Sequence, residues 1–517
     1  DNGRRNKGFA MRGVEGNRVG ISVDGVNLPE SEENSLYARY GNFNSSRLSI
    51  DPELVQGIDI IRGSDSFNAG SGSLGGSVNY RTLGPEDIIL PAKKWGVLLK
   101  NGYASKNREW TNTIGTAYRD DKFDATLLYS HRNGHEMKSR GNGEDIFGNA
   151  RGIPDPSHHK NHSYLAKIGY FITPLHRISA SFNGQKANNF VDEKSYQLSG
   201  IWRESEDIGK RYNANLAYEY FPENNRWLSY VKTDLDWQKT SVGSNNYKGG
   251  HRYDADLNKA LEKRLYEIQD THMNTRFIRG SLRVDFQPWE SRFGSHQFTI
   301  KTGISQKDFD NRNNHEYLNI NADGSSAKDS ESIQHPVRTR SFFAQLQDNV
   351  TWNDIFSSQL GIRYDWDALV PQDLNATCRA CSSTPASNTF QSISGSLGLD
   401  AQLNDIWKIG YNISTGFRIP TASEMYFTYE HPAGNWIANP DLEAEQALNQ
   451  SIYVQAEHKL GSFGLNLYHT RYKNFLYEQE STYKKWNRFY DSYSAGYGQL
   501  PYYTTIAQQA VNIDRAR

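Results

Sequence analysis

The sequence predicts an all-β membrane barrel that follows a smaller, glycine-punctuated domain. The chain has no long apolar run and a mean hydropathy of -0.77, whereas a membrane helix needs about twenty consecutive apolar residues. Strands that alternate lipid-facing apolar side chains with lumen-facing polar ones keep a membrane barrel hydrophilic on average. The 31 Tyr, 23 Phe and 11 Trp residues supply the side chains of the aromatic girdles at both membrane interfaces.

Amphipathic strands recur from Trp95 onward. Apolar and polar positions alternate in residues 123–129, 212–220, 282–286, 298–302 and 463–467. Roughly fifteen such strands are expected, with short turns such as RDDK and TPLH at one end and long polar loops at the other. This asymmetry is typical of outer-membrane barrels, so the short turns are expected on the periplasmic side and the long loops on the extracellular side.

Residues 1–85 form a different kind of segment, in which glycines separate short apolar runs. Val19, Ile21 and Val23 alternate with other residues, and Ile58 and Ile60 do the same, which indicates a small mixed sheet with tight turns. Four motifs follow one another here: RGVEGNRV, VDGV, DPELVQGIDIIRGSDS and GSGSLGGSVNY. Together they closely resemble the second half of the plug domain of TonB-dependent outer-membrane receptors.

This resemblance implies a plug domain inside an antiparallel β-barrel of about 22 strands. We therefore expect the C-terminal part of the plug in residues 1–85, and the transmembrane barrel with its long extracellular loops in residues 86–517. Hydrocarbon does not tolerate an unpaired strand edge. The lower strand count therefore predicts an incomplete barrel, with the last strands and the first half of the plug lying outside this sequence.

Residues 416–442, GFRIPTASEMYFTYEHPAGNWIANPDL, contain the strongest candidate for a ligand site. Pro420 stands where an alternating strand must stop, because proline cannot continue a strand ladder. Asn439 and Pro440 are turn-forming residues that precede the next strand. The residues between these two motifs are therefore expected to form a loop at the end of the barrel.

His431 lies in this loop among aromatic residues that can wall an apolar slot. Neutral imidazole is well suited to bind haem iron, which makes His431 the first candidate ligand. Tyr426 and Tyr429 are alternatives, because a phenolate also binds haem iron. A loop histidine that makes only hydrogen bonds is the remaining interpretation.

The FRIP and NPDL motifs of this loop resemble the FRAP and NPNL motifs of bacterial outer-membrane haem and haemoglobin receptors, with Ile419 in place of Ala and Asp441 in place of Asn. Further segments, among them ARGIPDP, NREWTNT, SIQHPV and WNDIFSSQLGIRYD, look like the neisserial haemoglobin receptors. The resemblance implies that haem taken from haemoglobin is the transported ligand and not a prosthetic group. It also implies energy from the TonB–ExbB–ExbD complex and a multi-pass chain among the outer-membrane lipids of a Gram-negative bacterium.

Two other polar segments are expected to be extracellular loops that contact haemoglobin. In residues 249–270, His251 and Tyr253 form a second candidate pair for haem. Four apolar residues at helical spacing predict an amphipathic helix in the same segment: Leu257, Leu261, Leu265 and Ile268. This helix would dock on a protein or pack as a lid over the barrel mouth. Residues 477–503 are dense in Tyr and Trp, which are enriched both in binding hot spots and in membrane girdles.

The two cysteines, Cys378 and Cys381, lie in a loop rich in Ser, Thr, Ala and Pro. A CxxC motif occurs in redox centres and as half of a zinc site, but here it has no βαβ context and no second Cys pair. Export through an oxidising compartment therefore favours a disulfide that closes a small extracellular loop.

The net charge of the chain bears on one class of partner, nucleic acid. A formal charge of -1 provides no global basic field, so nucleic acid is not an expected partner. We expect a receptor that binds haemoglobin and haem and imports haem, and not an enzyme. One alternative is a TonB-dependent receptor for transferrin iron or a ferric siderophore, and another is a surface adhesin or a passive pore. The plug motifs argue against a pore, and His431 favours haem over a siderophore.

Overall fold

The computed structural model describes residues 8–32, 50–141, 143–196, 201–254, 259–318, 325–374, 376–378, 381, 383–429, 434–487, 490 and 500–516. Side chains of residues 251–263, 515 and 516 are outside this description. Nearly all regular structure is β-strand. Among the described helices, none combines the length and the apolar composition that crossing a membrane requires.

The N-terminal part of the chain contains six strands and two short helices. The strands are β1 (Ala10–Met11), β2 (Val14–Glu15), β3 (Val19–Val23), β4 (Val26–Asn27), β5 (Val55–Arg62) and β6 (Gly76–Thr82). The helices are α1 (Ser66–Ala69) and α2 (Pro85–Ile88), and short 3₁₀ helices span Gly16–Arg18 and Pro52–Leu54. Strands β4, β3, β6 and β5 form one sheet in that order, in which β3 and β6 are parallel and the other neighbours are antiparallel. The predicted mixed sheet is therefore confirmed.

This small sheet lies inside the barrel. All five residues of β3 are buried, and Val19, Ile21 and Val23 share an apolar core with Leu128 and Leu165 of the barrel wall. The glycine-rich run that leads into β6 is required by the same close packing, because a side chain there would collide with a neighbouring strand. Gly76 has a φ of +142°, and a Cβ there would overlap the carbonyl oxygen of Ile61 in the neighbouring strand.

From Trp95 the chain forms the barrel wall. Its strands are β7 (Trp95–Ala104), β8 (Glu109–Arg119), β9 (Phe123–His135), β10 (Ser157–Thr173), β11 (His176–Asp192), β12 (Ile201–Tyr220), β13 (Leu228–Asp254), β14 (Lys259–Phe286), β15 (Trp289–Ser291), β16 (Gly294–Tyr317), β17 (Ala327–Glu331), β18 (Val337–Thr351), β19 (Phe356–Pro371), β20 (Asn388–Gln402), β21 (Trp407–Arg418), β22 (Asn435–Ile437), β23 (Glu445–His458), β24 (Gly461–Trp486) and β25 (Tyr502–Ala516). Helix α3 (Ala422–Tyr426) follows β21, and a 3₁₀ helix spans Lys194–Tyr196.

The long strands pair with their neighbours along the chain, so the wall is an antiparallel meander. The three short strands β15, β17 and β22 are additions to it: β15 and β17 pair antiparallel with β16, and β22 pairs parallel with β25. Exposed apolar side chains alternate with buried polar ones along the strands. In β12, for example, Leu216 is exposed while Asn213 and Arg211 are buried toward the lumen. This alternation is what a barrel between lipid and an internal domain requires.

The predicted amphipathic helix in residues 257–268 is wrong. Strand β14 begins at Lys259 and pairs with the end of β13, where Tyr253 lies opposite Ala260 and His251 opposite Lys263. The neighbouring strand offers its backbone N–H and C=O groups to most of residues 259–268, and this pairing overrides the local helical spacing of the leucines. The backbones of His251 and Tyr253 therefore lie in β13, whereas their side chains are outside the described part of the structure.

A loop folded onto the plug as the candidate ligand site

The candidate loop begins where β21 ends at Arg418. Helix α3 follows because Thr421 and Glu424 form a capping box: the Glu424 carboxylate accepts the N–H of Thr421 at 2.7 Å, and the Thr421 hydroxyl accepts the N–H of Glu424 at 3.3 Å. Beyond α3, Tyr429 and Trp436 form a β-bridge with N–H···O distances of 3.1 and 2.8 Å. This bridge joins described residues on either side of residues 430–433. The first candidate ligand, His431, belongs to that segment and lies outside the described residues.

The loop folds inward and joins the largest apolar cluster of the barrel. Met425, Phe427 and Trp436 are buried in this cluster together with Phe309 and Leu369 of the wall. The ring of Phe427 is 6.4 Å from that of Tyr429 and 6.2 Å from that of Trp436. The described aromatic residues that were expected around His431 therefore lie close to one another.

The two candidate tyrosines lie in different surroundings. Tyr426 is buried, its hydroxyl donates to Oδ1 of Asn388 at 2.9 Å, and burial raises the pKa of its phenol, which disfavours a phenolate ligand. Tyr429 is only half-buried and adjoins residues 430–433. Of the two, Tyr429 is therefore the more accessible, whereas the Tyr426 hydroxyl is already engaged by Asn388. That either tyrosine binds haem iron stays a prediction.

The far end of the loop is fixed by the predicted Asn-Pro-Asp turn. Oδ1 of Asn439 accepts the N–H of Asp441 at 3.2 Å, and its Nδ2 donates to the carbonyl of Ala510 at 2.9 Å. Asn388 donates to the carbonyl of Pro440 at 2.7 Å and also accepts the hydroxyl of Tyr426. A single side chain therefore ties α3 to the turn.

The base of the loop is hydrogen-bonded to the plug. The N–H of Phe417 donates to Oγ of Ser66 at 2.9 Å, and its carbonyl accepts the N–H of Gly72 at 3.0 Å. The N–H of Ile419 donates to Oγ of Ser71, also at 3.0 Å. Backbone groups that would continue the strand ladder in β21 instead bind α1 and the glycine run of the plug.

Buried ion pairs also connect the base of the candidate loop to the plug. Arg418, only 1% exposed, donates to both carboxylate oxygens of Glu424 at 2.9 Å and also to Glu445. Glu445 also accepts Nε and Nη2 of plug residue Arg18 at 2.9 and 2.7 Å, and the N–H of Leu476 at 2.8 Å. Burial alone would raise the pKa of Glu424, but the adjacent Arg418 outweighs it and lowers the pKa, so this carboxylate is ionised.

Sequence reasoning overlooked this network because charges far apart in sequence give no local signal. One part of it was visible: Thr421 and Glu424 have capping-box spacing directly after Arg418. The plug partner Arg18 has no such signal in the sequence.

A second buried carboxylate joins the plug to α3. Oε2 of Glu32 accepts the N–H of Ser423 at 3.0 Å, and the hydroxyl of Ser423 contacts the carbonyl of Glu32. Burial raises the pKa of Glu32 to about 7, with a smaller raising effect of Glu30, while Lys307 and the Ser423 N–H act in the opposite direction. This contact is therefore expected to depend on pH.

Replacing Glu32 by Gln should flatten the pH dependence of stability. A carboxyl whose folded-state pKa is raised stabilises the fold fully below its unfolded pKa of about 4.5, and this contribution is lost as pH rises through about 7. The loss is on the order of 3 kcal/mol. We expect the melting temperature in detergent to fall between pH 5 and pH 8 more in the wild type than in Glu32→Gln. The exposed plug variant Glu15→Gln is the control, and equal pH slopes in wild type and Glu32→Gln would contradict the assignment.

Cys378 and Cys381 are joined by a disulfide, with their Cα atoms 5.4 Å apart. The chain just before it is held against the loop after β17, since the N–H of Ser332 donates to the carbonyl of Thr377 at 2.8 Å. The disulfide thus closes a small loop beside β17, far in sequence from the segment that contains His431. That it has little effect on transport stays a prediction.

Comparisons with known proteins match this architecture. The family described as "TonB dependent receptor-like, beta-barrel" matches residues 169–517, and "TonB-dependent Receptor Plug Domain" matches residues 1–77. Hemoglobin-haptoglobin utilization protein B of Neisseria meningitidis is 28% identical over 91% of this chain and 63% of its own length. A probable hemoglobin and hemoglobin-haptoglobin-binding protein 4 of Haemophilus influenzae is 22% identical over 91% of this chain and 68% of its own length.

Solved structures share the fold. The Serratia marcescens hemophore receptor HasR, in complex with its hemophore HasA and heme, has a TM-score of 0.64 at 16% identity, covering 99% of this chain and 74% of that one. The FrpB iron transporter of Neisseria meningitidis has a TM-score of 0.62 at 19% identity, covering 90% and 66%. The present chain spans somewhat under two thirds of the neisserial hemoglobin-haptoglobin relative. A plug sheet enclosed by an antiparallel barrel, together with family matches over both parts, shows that the chain belongs to the TonB-dependent receptor family.

Proposed function

We propose that this chain is part of a receptor that binds haemoglobin and haem at the cell surface and imports haem through its barrel. Residues 1–85 serve as the plug and residues 86–517 as the barrel, which crosses the outer membrane of a Gram-negative bacterium. The TonB–ExbB–ExbD complex supplies the energy. The chain acts as a transporter and not as an enzyme, and haem is its cargo.

The observation that carries this proposal is the attachment of the candidate loop to the plug. Phe417, Ile419 and Ser423 bind plug residues through their backbone N–H groups, and Arg418 reaches Arg18 through Glu445. A ligand that binds at residues 430–433 therefore acts on a segment joined directly to the plug. Such a connection suits a transporter, because the plug must respond when cargo is bound.

The residues beside that segment suit haem. Tyr429, which is half-buried, offers aromatic surface to a flat apolar macrocycle, and His431 offers an imidazole to its iron. The buried rings of Phe427 and Trp436 belong to the apolar cluster on which Tyr429 packs. The names of the Neisseria and Haemophilus relatives, which refer to haemoglobin, support the same cargo.

A haemin titration of the purified chain in detergent, followed at the Soret band, tests this proposal. Wild-type protein should bind haemin, and His431→Ala should weaken binding by about tenfold or more, or shift the Soret maximum, because an axial ligand is lost. His469→Ala, which removes an exposed histidine of β24, is the matched control and should behave as wild type.

Two outcomes would redirect the proposal. If His431→Ala binds haemin with an unchanged spectrum and affinity, the axial ligand is another residue, and Tyr429→Phe followed by the His251 and Tyr253 variants would locate it. If the wild type gives no Soret change but binds a ferric siderophore, haem is not the cargo.

A further inference from the structure

We propose that the outer wall of the barrel over β10–β13 binds a phosphorylated lipid of the outer leaflet, with an acyl chain in an apolar groove and the phosphate on three lysines. The lysines are Lys186 of β11, Lys210 of β12 and Lys239 of β13. The inference rests on the proposed placement of the barrel in an outer membrane, and it concerns a surface that plays no part in haem binding.

The groove lies on the lipid-facing side of these four strands. Ile168, Ala180, Leu216 and Leu235 stand opposite one another in register across β10, β11, β12 and β13. Ala180 is the small residue in this row, so its larger neighbours leave a depression above it. The lining is almost entirely apolar. An acyl chain is the natural occupant of such a groove within a bilayer.

The three lysines lie on the same outer face, toward the long-loop end. The residues next to them in sequence, Gln185, Arg211 and Gln238, are buried toward the lumen, so strand alternation directs the lysines outward. Lys186 is directly opposite Lys210 across β11 and β12.

Lys239 completes the group from the next strand. It pairs with Tyr212, two residues from Lys210 on the same face of β12. Directly opposite residues of two strands lie about 5 Å apart and diagonal ones about 7–8 Å, so one phosphate group is within reach of all three ammonium groups.

This arrangement is unfavourable without an anion. Like charges directly opposite each other on neighbouring strands destabilise a sheet. Among the described acidic side chains, none forms an ion pair with Lys186, Lys210 or Lys239. A phosphate group from outside the chain would remove the repulsion and accept charge-assisted hydrogen bonds.

The distance between the groove and the lysines matches the thickness of one leaflet of the bilayer. Lys210 is six residues from Leu216, which is about 20 Å along the strand. At a strand tilt of about 40° this is a rise of about 15 Å, half of the roughly 30 Å hydrocarbon thickness. The lysines therefore lie at headgroup height when the groove lies near the middle of the membrane.

Native mass spectrometry of the full chain in detergent tests the proposal, with lipid A as the diphosphorylated probe and its dephosphorylated form as the comparison. The triple variant Lys186→Gln, Lys210→Gln, Lys239→Gln should bind lipid A about tenfold or more weakly than wild type. The control variant Lys93→Gln, Lys94→Gln, Lys122→Gln removes the same charge at the short-turn end and should bind as wild type. Ala180→Phe, which fills the groove and leaves the lysines intact, should also weaken binding.

The outcomes separate this inference from the haem proposal. Equal lipid A binding by wild type and the lysine triple variant would overturn it, as would equal affinity for the dephosphorylated probe. Competition by millimolar inorganic phosphate to the same degree in wild type and Ala180→Phe would indicate a free-anion site and overturn the lipid assignment. The haemin titration on the same samples should be unchanged in all variants, so a failure of haem binding and a failure of lipid binding are read independently.

Discussion

Replacing Glu445 by Ala is expected to destabilise the folded chain by about 3–5 kcal/mol and to loosen the plug. The Glu445 carboxylate is completely buried and accepts hydrogen bonds from Arg18, Arg418 and the N–H of Leu476. Without it, Arg418 keeps only Glu424, and Arg18 keeps the carbonyl of Leu476 and the ring of Phe475. A buried guanidinium that loses one of its carboxylate partners is left with part of its desolvation penalty uncompensated.

Two measurements check this expectation. The melting temperature in detergent should fall well below that of the wild type, and a protease should cleave the plug faster. Glu457→Ala removes an exposed carboxylate from the same strand β23 and should change neither quantity. If Glu445→Ala melts and is cleaved like Glu457→Ala, the charge network contributes little to holding the plug.

Shortening the β13–β14 hairpin is expected to abolish growth on haemoglobin and to spare growth on haemin at high concentration. The two strands are paired at Gly250 and Arg264, and β12 pairs with β13 up to Gly250, so residues 251–263 can be replaced by a two-residue turn without disturbing the wall below. Free haem is small, whereas a globin needs a broad interface of about 800 Å² per partner. Removal of the hairpin end therefore takes away protein-binding area and leaves the candidate haem loop intact.

Residues 477–503 were expected to form a loop, but residues 477–486 belong to β24 and pair with β25. The matched second deletion therefore removes residues 487–501, beyond the last pair between Trp486 and Tyr502. Removal of this segment should also abolish growth on haemoglobin and spare growth on haemin if both segments contact the globin. Surface labelling of the barrel must show equal amounts of each variant in the outer membrane. Equal loss of haemin and haemoglobin use, at normal barrel levels, would mean that these segments serve the haem pocket or its gating.

Much of the fold was predictable because it depends on local periodicity. Alternation of Val19, Ile21 and Val23 predicted a strand, and the structure contains β3 at that place. The wall strands were predictable for the same reason, since lipid on one side and the plug on the other impose a period of two. The error at Leu261 and Leu265 shows the limit of this reasoning, because pairing with β13 decided the conformation there.

The candidate site was predictable only in part. Turn chemistry placed the loop between Pro420 and Asn439, and its aromatic composition predicted the cluster around Phe427. The sequence could not show that Tyr426 faces Asn388, or that Arg418 reaches plug residue Arg18 through Glu445. Such contacts depend on how distant strands meet across the lumen, which no local pattern records.

The length of β13 and β14 determines how far their hairpin extends from the membrane. Strands of 27 and 28 residues extend about 90 Å, and a tilt of about 40° leaves a rise of about 70 Å. The lipid-facing apolar band accounts for only about 25 Å of this height. A paired ribbon of this kind rises above the bilayer, and β12 and β16 stiffen it up to Gly250 and Glu267 because they pair with its two outer edges. On the proposed placement in an outer membrane, its end is expected to reach a large protein partner farther from the bilayer than a short loop could.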